Sequence, residues 1–191
     1  MRMKKKLLIN KNIIKLYLEK LYPICRSITG NGFRKSLKIL GHKIDLKIFK
    51  FKSGSRVLDW IIPKEWNIDD GYIITPSGKK IANFKKHSLH VVNYSEPVSK
   101  KIKFNDLKKR LFFLKELPNA IPFIATYYKK FWGFCLSYKE YSKLKKGNYK
   151  VYIKSNNHKL LCQSLKIPFK QRQDPYMIKL NKDKIWLNLK G

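Results

Sequence analysis

The chain has 191 residues, of which 43% are hydrophobic and 14% aromatic, so it can bury a core and is not a disordered chain. It carries 44 Lys and Arg residues against 12 Asp and Glu, a formal net charge of +32. No stretch approaches the roughly 20 apolar residues of a membrane-spanning helix, and the apolar run after the basic N-terminus is too short for a signal peptide. We therefore expect a cytoplasmic protein without a membrane segment.

The positive charge predicts affinity for polyanions, because Lys and Arg bind phosphates with release of counterions. Only six of the 44 basic residues are Arg, the residue favoured for bidentate recognition of phosphates and bases. The Lys residues are spread along the whole chain and form no single stripe. These features favour weak, non-specific polyanion binding over a dedicated nucleic-acid site.

The cysteines indicate neither a disulfide framework nor a zinc site. Cys25, Cys135 and Cys162 are odd in number, and no two of them have CxxC spacing. We expect each to be a small buried hydrophobic residue.

The N-terminal part predicts two helices joined by a polar loop. Residues 12–22 place apolar side chains at helical spacing until Pro23 ends the pattern. Residues 33–40 repeat it, with Gly41 as the residue that follows the helix in a left-handed conformation.

The middle of the chain predicts short strands and turns. The predicted strands are residues 43–51, 57–62, 72–75, 80–84, 89–94, 131–136 and 149–154. Turns are predicted at residues 76–78 and 117–122, and at Asp69 and Asp70 before Gly71. If Asp69 and Asp70 lie on a strand instead, their adjacent carboxylates point apart, so we expect no acid/base pair there.

The remaining elements are shorter. One helix is predicted from Asn105 or Asp106 to Leu114, and a helical turn capped by Ser137 over residues 138–144. Weak strand patterns are residues 160–167 and 184–189. Helices at the front and a strand-rich middle make the predicted fold class α+β.

The loop of residues 26–32 is a candidate binding site. It gathers Arg26, Ser27, Thr29 and Asn31 around two glycines just before a helix, where free backbone N–H groups favour anions. It lacks the spacing and the Lys-Ser/Thr end of a P-loop. The alternative is an interhelical turn whose polar side chains cap the helices.

His87 and His90 are the one closely spaced pair of histidines. We expect them at a strand entry, where residues three apart face opposite sides. No acidic residue lies between Asp70 and Glu96 to complete a metal site. We therefore predict no metal ligand here and interpret His90 as a hydrogen-bonded core or pocket residue.

Six aromatic residues follow residue 122, and we expect them to pack in a core or an interface. They could instead stack bases, but they do not alternate with basic residues as in RNA-binding sheets. The residues are Phe123, Tyr127, Tyr128, Phe131, Trp132 and Phe134.

Four segments, in this order, resemble a bacterial family of zinc-aminopeptidase-like proteins. The segments are LYPICRSITGNG (21–32), DWIIPKEWNI (59–68), LHVVNYS (89–95) and WGFCLS (132–137). The family is often labelled a domain of unknown function and is associated with surface-polysaccharide biosynthesis loci. The resemblance covers about residues 12–154.

The resemblance implies an α/β aminopeptidase-like domain that begins with the N-terminal helices and holds a small inserted β-rich domain. The implied divisions are residues 1–44 (start of the α/β domain), 45–136 (insertion), 137–155 (return to the α/β domain) and 156–191 (divergent tail). In full-length relatives a zinc ion would activate water against a peptide or amide carbonyl. The implied substrate-pocket residues are Arg26, Ser27, Thr29, Asn31, His90 and Tyr94.

The sequence departs from the family where the zinc ligands are expected. The family has a His-x-Cys-His-Pro type segment beyond residue 154, whereas here His158 is isolated and Cys162 has no histidine beside it. We therefore expect a truncated, incomplete aminopeptidase-like chain with no catalytic residue, no cofactor of its own and no activity. Its partner would be the missing catalytic half or a second copy, since an apolar face should be exposed around residues 12–40. The alternative is a non-enzymatic interaction module or a weak polyanion or nucleic-acid binder.

Overall fold

The computed structural model describes residues 11–43, 46–158 and 161–166. Its helices are α1 (Lys11–Leu21), α2 (Asn31–Gly41), α3 (Phe104–Lys108) and α4 (Tyr138–Tyr141). Its strands are β1 (Lys47–Lys52), β2 (Arg56–Val57), β3 (Trp60–Ile61), β4 (Glu65–Ile74), β5 (Lys80–Ile81), β6 (Val98–Lys103), β7 (Leu111–Phe112), β8 (Phe134–Cys135), β9 (Asn148–His158) and β10 (Leu161–Lys166). Within these residues no helix is long and apolar enough to cross a membrane. The predicted strand at residues 184–189 lies outside them.

A four-stranded antiparallel sheet in the order β5-β4-β9-β6 is the centre of the fold. On β9, every second side chain is buried, at Tyr149, Val151 and Ile153. This alternation is expected for a sheet with one face on a core and the other toward water. The mixture of helices and sheet agrees with the predicted α+β class.

The core lies on the buried face of this sheet. Ile73 and Val151 from the sheet, Leu107 from α3, and Phe134 and Leu136 from the β8 region are all fully buried in one cluster. β7 and β8 pair in parallel, so the segments after α3 and before α4 are held side by side against that cluster.

The two predicted strands at residues 43–51 and 160–167 are confirmed over the ranges of β1 and β10, whereas Lys43 lies in a turn and residues 44, 45, 160 and 167 lie outside the described residues. They pair with each other antiparallel, from Lys47 opposite Lys166 to Lys52 opposite Leu161.

Two strand predictions are wrong because turns interrupt them. The predicted strand at residues 57–62 is a hairpin of β2 and β3, with Leu58 at its turn in the left-handed region at φ 56°. The predicted strand at residues 89–94 begins as a 3₁₀ turn, Ser88–His90, followed by isolated bridges at Val91 and Asn93. Both segments are rich in strand-forming side chains, but tertiary contacts decide their backbone.

The predicted turn at Asp69 and Asp70 is also wrong. Both residues lie inside β4, where the register with β9 shifts between Ile68 and Asp70 at a bulge. The two carboxylates do point to different partners. Asp69 lies 3.3 Å from Lys154 Nζ, and Asp70 lies 3.5 Å from Lys85 Nζ.

Helix positions are confirmed more often than helix ends. α1 and α2 form where predicted, but Gly41 lies inside α2 and His42 is the C-cap, in the right-handed region. α3 is shorter than predicted and its N-cap is Lys103. Ser137 caps α4 as predicted and forms a reciprocal capping box with Glu140.

Candidate binding cavity and its supporting junction

A cavity of about 480 Å³ lies where the loop after α1 crosses the loops of the β-rich region. We call it the seam cavity. Its lining residues are Tyr22, Pro23, Ile24, Cys25, Arg26, Phe84, Lys85, Lys86, His87, Ser88, Leu89, Val91, Asn93, Phe123 and Ile124. Apolar side chains and basic groups therefore share one concave surface, which suits a ligand with both an apolar part and a negative charge.

His87 links the two sides of the seam cavity. Its Nδ1 accepts a hydrogen bond from the backbone N–H of Leu89 at 3.2 Å, so in the neutral ring the proton must be on Nε2. Nε2 lies 2.9 Å from the hydroxyl of Tyr22, to which it then donates. The rings of His87 and Tyr22 also meet edge to face, with centroids 5.9 Å apart.

The surroundings of His87 favour its neutral form. Burial lowers the pKa of His87 below its ordinary value of 6.5, and the neighbouring ring of His90 lowers it further. The rings of His87 and His90 lie 6.0 Å apart because the 3₁₀ turn brings them together. The predicted placement on opposite faces of a strand is therefore wrong.

Cys25 forms an unreactive part of the cavity wall. Burial raises the pKa of the Cys25 thiol to about 11, against a smaller lowering by a hydrogen bond to the backbone of Ser27. A thiol is a nucleophile only as its thiolate. Cys25 is thus suited to packing and not to chemistry near neutral pH.

The loop before α2 is held against the start of β4 by buried hydrogen bonds, and we call this contact the junction. The Thr29 hydroxyl donates to the carbonyl of Lys64 at 3.2 Å, accepts from the N–H of Trp66 at 3.3 Å and meets the Tyr94 hydroxyl. Gly30 has φ 118°, and a side chain there would collide with the carbonyl oxygen of Trp66. The junction is therefore a close backbone contact.

A buried ion pair completes the junction. Glu65 is 0% exposed, and its carboxylate accepts hydrogen bonds from both terminal nitrogens of Arg34 on α2. Asn67 donates to the same carboxylate at 3.1 Å and accepts from the backbone N–H of Asn31 at 2.7 Å. A planar guanidinium matched to a carboxylate in this way fixes orientation as well as distance.

Trp66 lies at the centre of these contacts. It is 1% exposed, stacks on Tyr94 with ring centroids 5.7 Å apart, and donates its Nε1–H to the carbonyl of Ser95 at 3.0 Å. The apolar rings of the indole are thus packed against another ring, and its N–H has a hydrogen-bond acceptor.

Residues 65–156 match the family model described as "Domain of unknown function (DUF2172)". We call residues 65–156 the DUF2172 domain after this match. That range includes β4 to β9 as far as residue 156, and therefore the whole four-stranded sheet apart from the last two residues of β9.

A protein from Clostridium acetobutylicum is 44% identical to this chain over 139 residues. It is named "Putative polysaccharide biosynthesis protein with aminopeptidase-like domain", and the match covers 73% of this chain and 32% of that protein. A crystal structure described as a "putative peptidase" from Clostridium acetobutylicum superposes with a TM-score of 0.76 at 41% identity, over 80% of this chain and 36% of that chain. The chain spans about a third of the length of these relatives.

The six residues predicted to line one pocket are divided by the structure among three places. Arg26 is exposed and lines the seam cavity. Ser27, Thr29, Asn31 and Tyr94 belong to the junction that joins the DUF2172 domain to the helices, where their polar groups bond to the protein itself. His90 lies inside the DUF2172 domain and is 7% exposed. Their role in substrate binding stays a prediction.

The described residues do not fit a zinc ion, the metal that the family resemblance implies for longer relatives. In the part of the chain that the structure describes, no three His, Cys, Asp or Glu side chains are grouped to hold a metal ion. Both nitrogens of His87 are hydrogen-bonded, and the Nδ1 of His90 bonds to the carbonyl of Cys135 at 2.9 Å. Burial raises the pKa of the Cys135 thiol to about 12, which disfavours the thiolate that zinc needs.

Sequence reasoning missed the two contacts that shape the site. Arg34 and Glu65 are 31 residues apart, and Tyr22 and His87 are 65 apart. Such pairs have no periodic signal in a single sequence. In the sequence, Gly30 and Gly32 were the residues that indicated a close backbone contact.

Proposed function

We propose that this chain is part of an aminopeptidase-like protein, in which the DUF2172 domain and its attached helices bind substrate and hold no catalytic metal. The observation that carries the proposal is the seam cavity, formed jointly by the loop after α1 and by the DUF2172 domain. The name of the 44% identical relative supports an aminopeptidase-like protein of polysaccharide biosynthesis as the setting.

The seam cavity suits the carboxylate end of a short peptide. Phe84, Phe123 and Ile24 offer apolar surface for a side chain. Of the basic side chains that line it, Lys85 lies 3.5 Å from Asp70, whereas Arg26 and Lys86 are exposed. Arg26 is the one that offers a planar guanidinium, which can pair with a carboxylate through two parallel hydrogen bonds. No catalytic step is assigned to residues of this chain.

The metal part of the proposal is tested on the purified chain. We expect far less than one zinc per chain by elemental analysis after dialysis against zinc, and no release of nitroaniline from aminoacyl-nitroanilide substrates. Stoichiometric zinc together with turnover would overturn the non-catalytic assignment.

The binding part is tested with the dipeptide Leu-Phe and its C-terminal amide, by calorimetry or chemical-shift mapping. We expect the free carboxylate to bind more tightly than the amide, and Arg26→Gln to remove that difference. Lys101→Gln, a charge-matched change on β6, should leave the difference intact. Equal affinity of acid and amide for the unaltered chain would refute the carboxylate assignment.

A further inference from the structure

A second cavity, of about 530 Å³, lies within the DUF2172 domain where the β4–β5 hairpin meets the segment after α4. We call it the lysine cavity. Six lysines line it: Lys79, Lys80, Lys86, Lys143, Lys145 and Lys146. They come from two segments about 60 residues apart, so the fold and not a local run of sequence brings them together.

The positive charge of this cavity is poorly compensated. Among the described residues that line it, the one acidic group is Glu140. Its carboxylate already accepts hydrogen bonds from the backbone N–H of Ser137 at 3.0 Å and from the Ser137 hydroxyl at 2.8 Å. Like charges that share a concave surface repel one another, and a bound anion would relieve that repulsion.

The floor of the lysine cavity is apolar. Ile81 and Leu144 are half-buried, and Ala82 and Tyr149 are 2% and 1% exposed. A cavity with an apolar floor and a few polar groups at its rim is the usual form of a small-molecule site, and its volume lies in the usual range of about 300–1,000 Å³.

His90 adds a directional group to the same cavity. Its Nδ1 is 2.9 Å from the carbonyl oxygen of Cys135, and since a carbonyl can only accept, Nδ1 carries a proton. In the neutral ring the Nε2 is then an acceptor. Thr75 and Ser77 add hydroxyl groups to the lining. A ligand with hydroxyls as well as negative charge would match these groups.

We propose that the lysine cavity binds a small organic diphosphate, with its phosphates on the lysine rim and its ring on the apolar floor. Lysine suits phosphate as a compact charge on a flexible stem, and several lysines can adapt to one diphosphate. The net charge of +32 alone attracts polyanions anywhere on the surface, whereas a cavity selects a ligand of a given size. This proposal concerns a different cavity from the seam cavity and does not depend on the proposed function.

The test compares two triple variants that each lower the net charge by three. Lys79→Gln/Lys143→Gln/Lys146→Gln removes charge from the lysine cavity, and Lys101→Gln/Lys103→Gln/Lys108→Gln removes it from exposed positions on β6 and α3. Adenosine diphosphate is titrated into each protein at near-physiological salt, after thermal unfolding confirms that all three proteins fold. We expect the dissociation constant to rise at least about tenfold in the cavity variant and less than about twofold in the control, because only the former removes direct phosphate contacts.

The proposal is overturned if the unaltered chain does not bind adenosine diphosphate at millimolar concentration. It is also overturned if both triple variants weaken binding equally, or if neither weakens it. A second arm compares adenosine diphosphate with inorganic pyrophosphate. Tighter binding of the nucleotide, reduced by Leu144→Gln, supports the ring on the floor. Equal affinity for the two would overturn the ring assignment.

Discussion

The hydrogen bonds of His87 define its protonation state. The backbone N–H of Leu89 donates to Nδ1, which leaves no room for a second ring proton, and burial lowers the pKa of His87 below 6.5. A His87 protonated on both nitrogens would lose that bond, which is the side-chain cap of the 3₁₀ turn. A single side chain thus couples pH to the geometry of the seam cavity.

We predict that stability falls as the pH drops below about 6.5 and that His87 contributes to the fall. The unfolded chain binds the His87 proton first, because the folded-state pKa is the lower one. The stabilisation is therefore fully present above the unfolded pKa and is lost as the pH falls through the folded pKa. His87→Asn keeps an acceptor for the Leu89 N–H but does not titrate, so the fall in Tm between pH 7 and pH 5.5 should be smaller by about 1–2 °C. His42→Asn, at the exposed end of α2, is the control. The prediction is wrong if both variants follow the unaltered chain.

Two thiols, half-buried Cys25 and buried Cys135, should resist alkylation because their surroundings disfavour the charged thiolate. Burial raises the pKa of Cys25 to about 11 and that of Cys135 to about 12, from an ordinary value of 9.0. At about pH 8 the thiolate fraction of Cys25 is then reduced roughly a hundredfold. Peptide mapping after iodoacetamide treatment should show both cysteines unmodified in the native protein and modified in denaturant. Rapid labelling of Cys25 in the native protein would contradict the raised pKa of its thiol.

Among the elements, α2 and β4 depend on each other through the Arg34–Glu65 pair. Glu65 is 0% exposed, so without Arg34 it would keep a buried charge with weaker compensation. We predict that Arg34→Met costs about 3 kcal/mol of the free energy of unfolding. Lys15→Met, which removes the exposed Lys15–Glu19 pair at 3.9 Å, should cost less than about 0.5 kcal/mol.

Denaturant unfolding of these variants is the measurement. Arg34→Met/Glu65→Met should recover most of the loss, since it removes both charges together. An equal cost for Arg34→Met and Lys15→Met would show that the ion pair does not stabilise the junction.

The success of the sequence predictions varies with the range of the interactions that form each element. The apolar spacing of α1 and α2 and the capping box of Ser137 and Glu140 are local, and the structure confirms them. Asp69 and Asp70 are turn-forming residues by type, but the backbone pairing of β4 with β9 on both sides of the bulge holds them on a strand. The seam cavity and the junction depend on contacts between residues more than 30 positions apart, which a single sequence does not reveal.

At the scale of the whole molecule, α1 has little to pack against among the residues that the structure describes. Apart from half-buried Tyr17 and Leu21, the described side chains of α1 are exposed, including Leu16 at 46% and Leu18 at 63%. An isolated helix of 11 residues is marginal in water, so its stability calls for a cover over this apolar surface. We propose that the cover is a further aminopeptidase-like region, or a second copy of the chain when that region is absent.

A second copy is the occupant that can be tested directly. We predict that the chain by itself self-associates with increasing concentration and binds a hydrophobic dye. Leu16→Glu/Leu18→Glu should abolish both, because it places charge on the apolar surface. Lys15→Gln/Lys20→Gln lowers the net charge by the same two units on the same helix and should leave both unchanged. Light scattering coupled to size exclusion provides the mass of each protein. A monomer at all concentrations without dye binding would show that α1 needs no partner, and equal effects of the two variants would show that charge alone controls association.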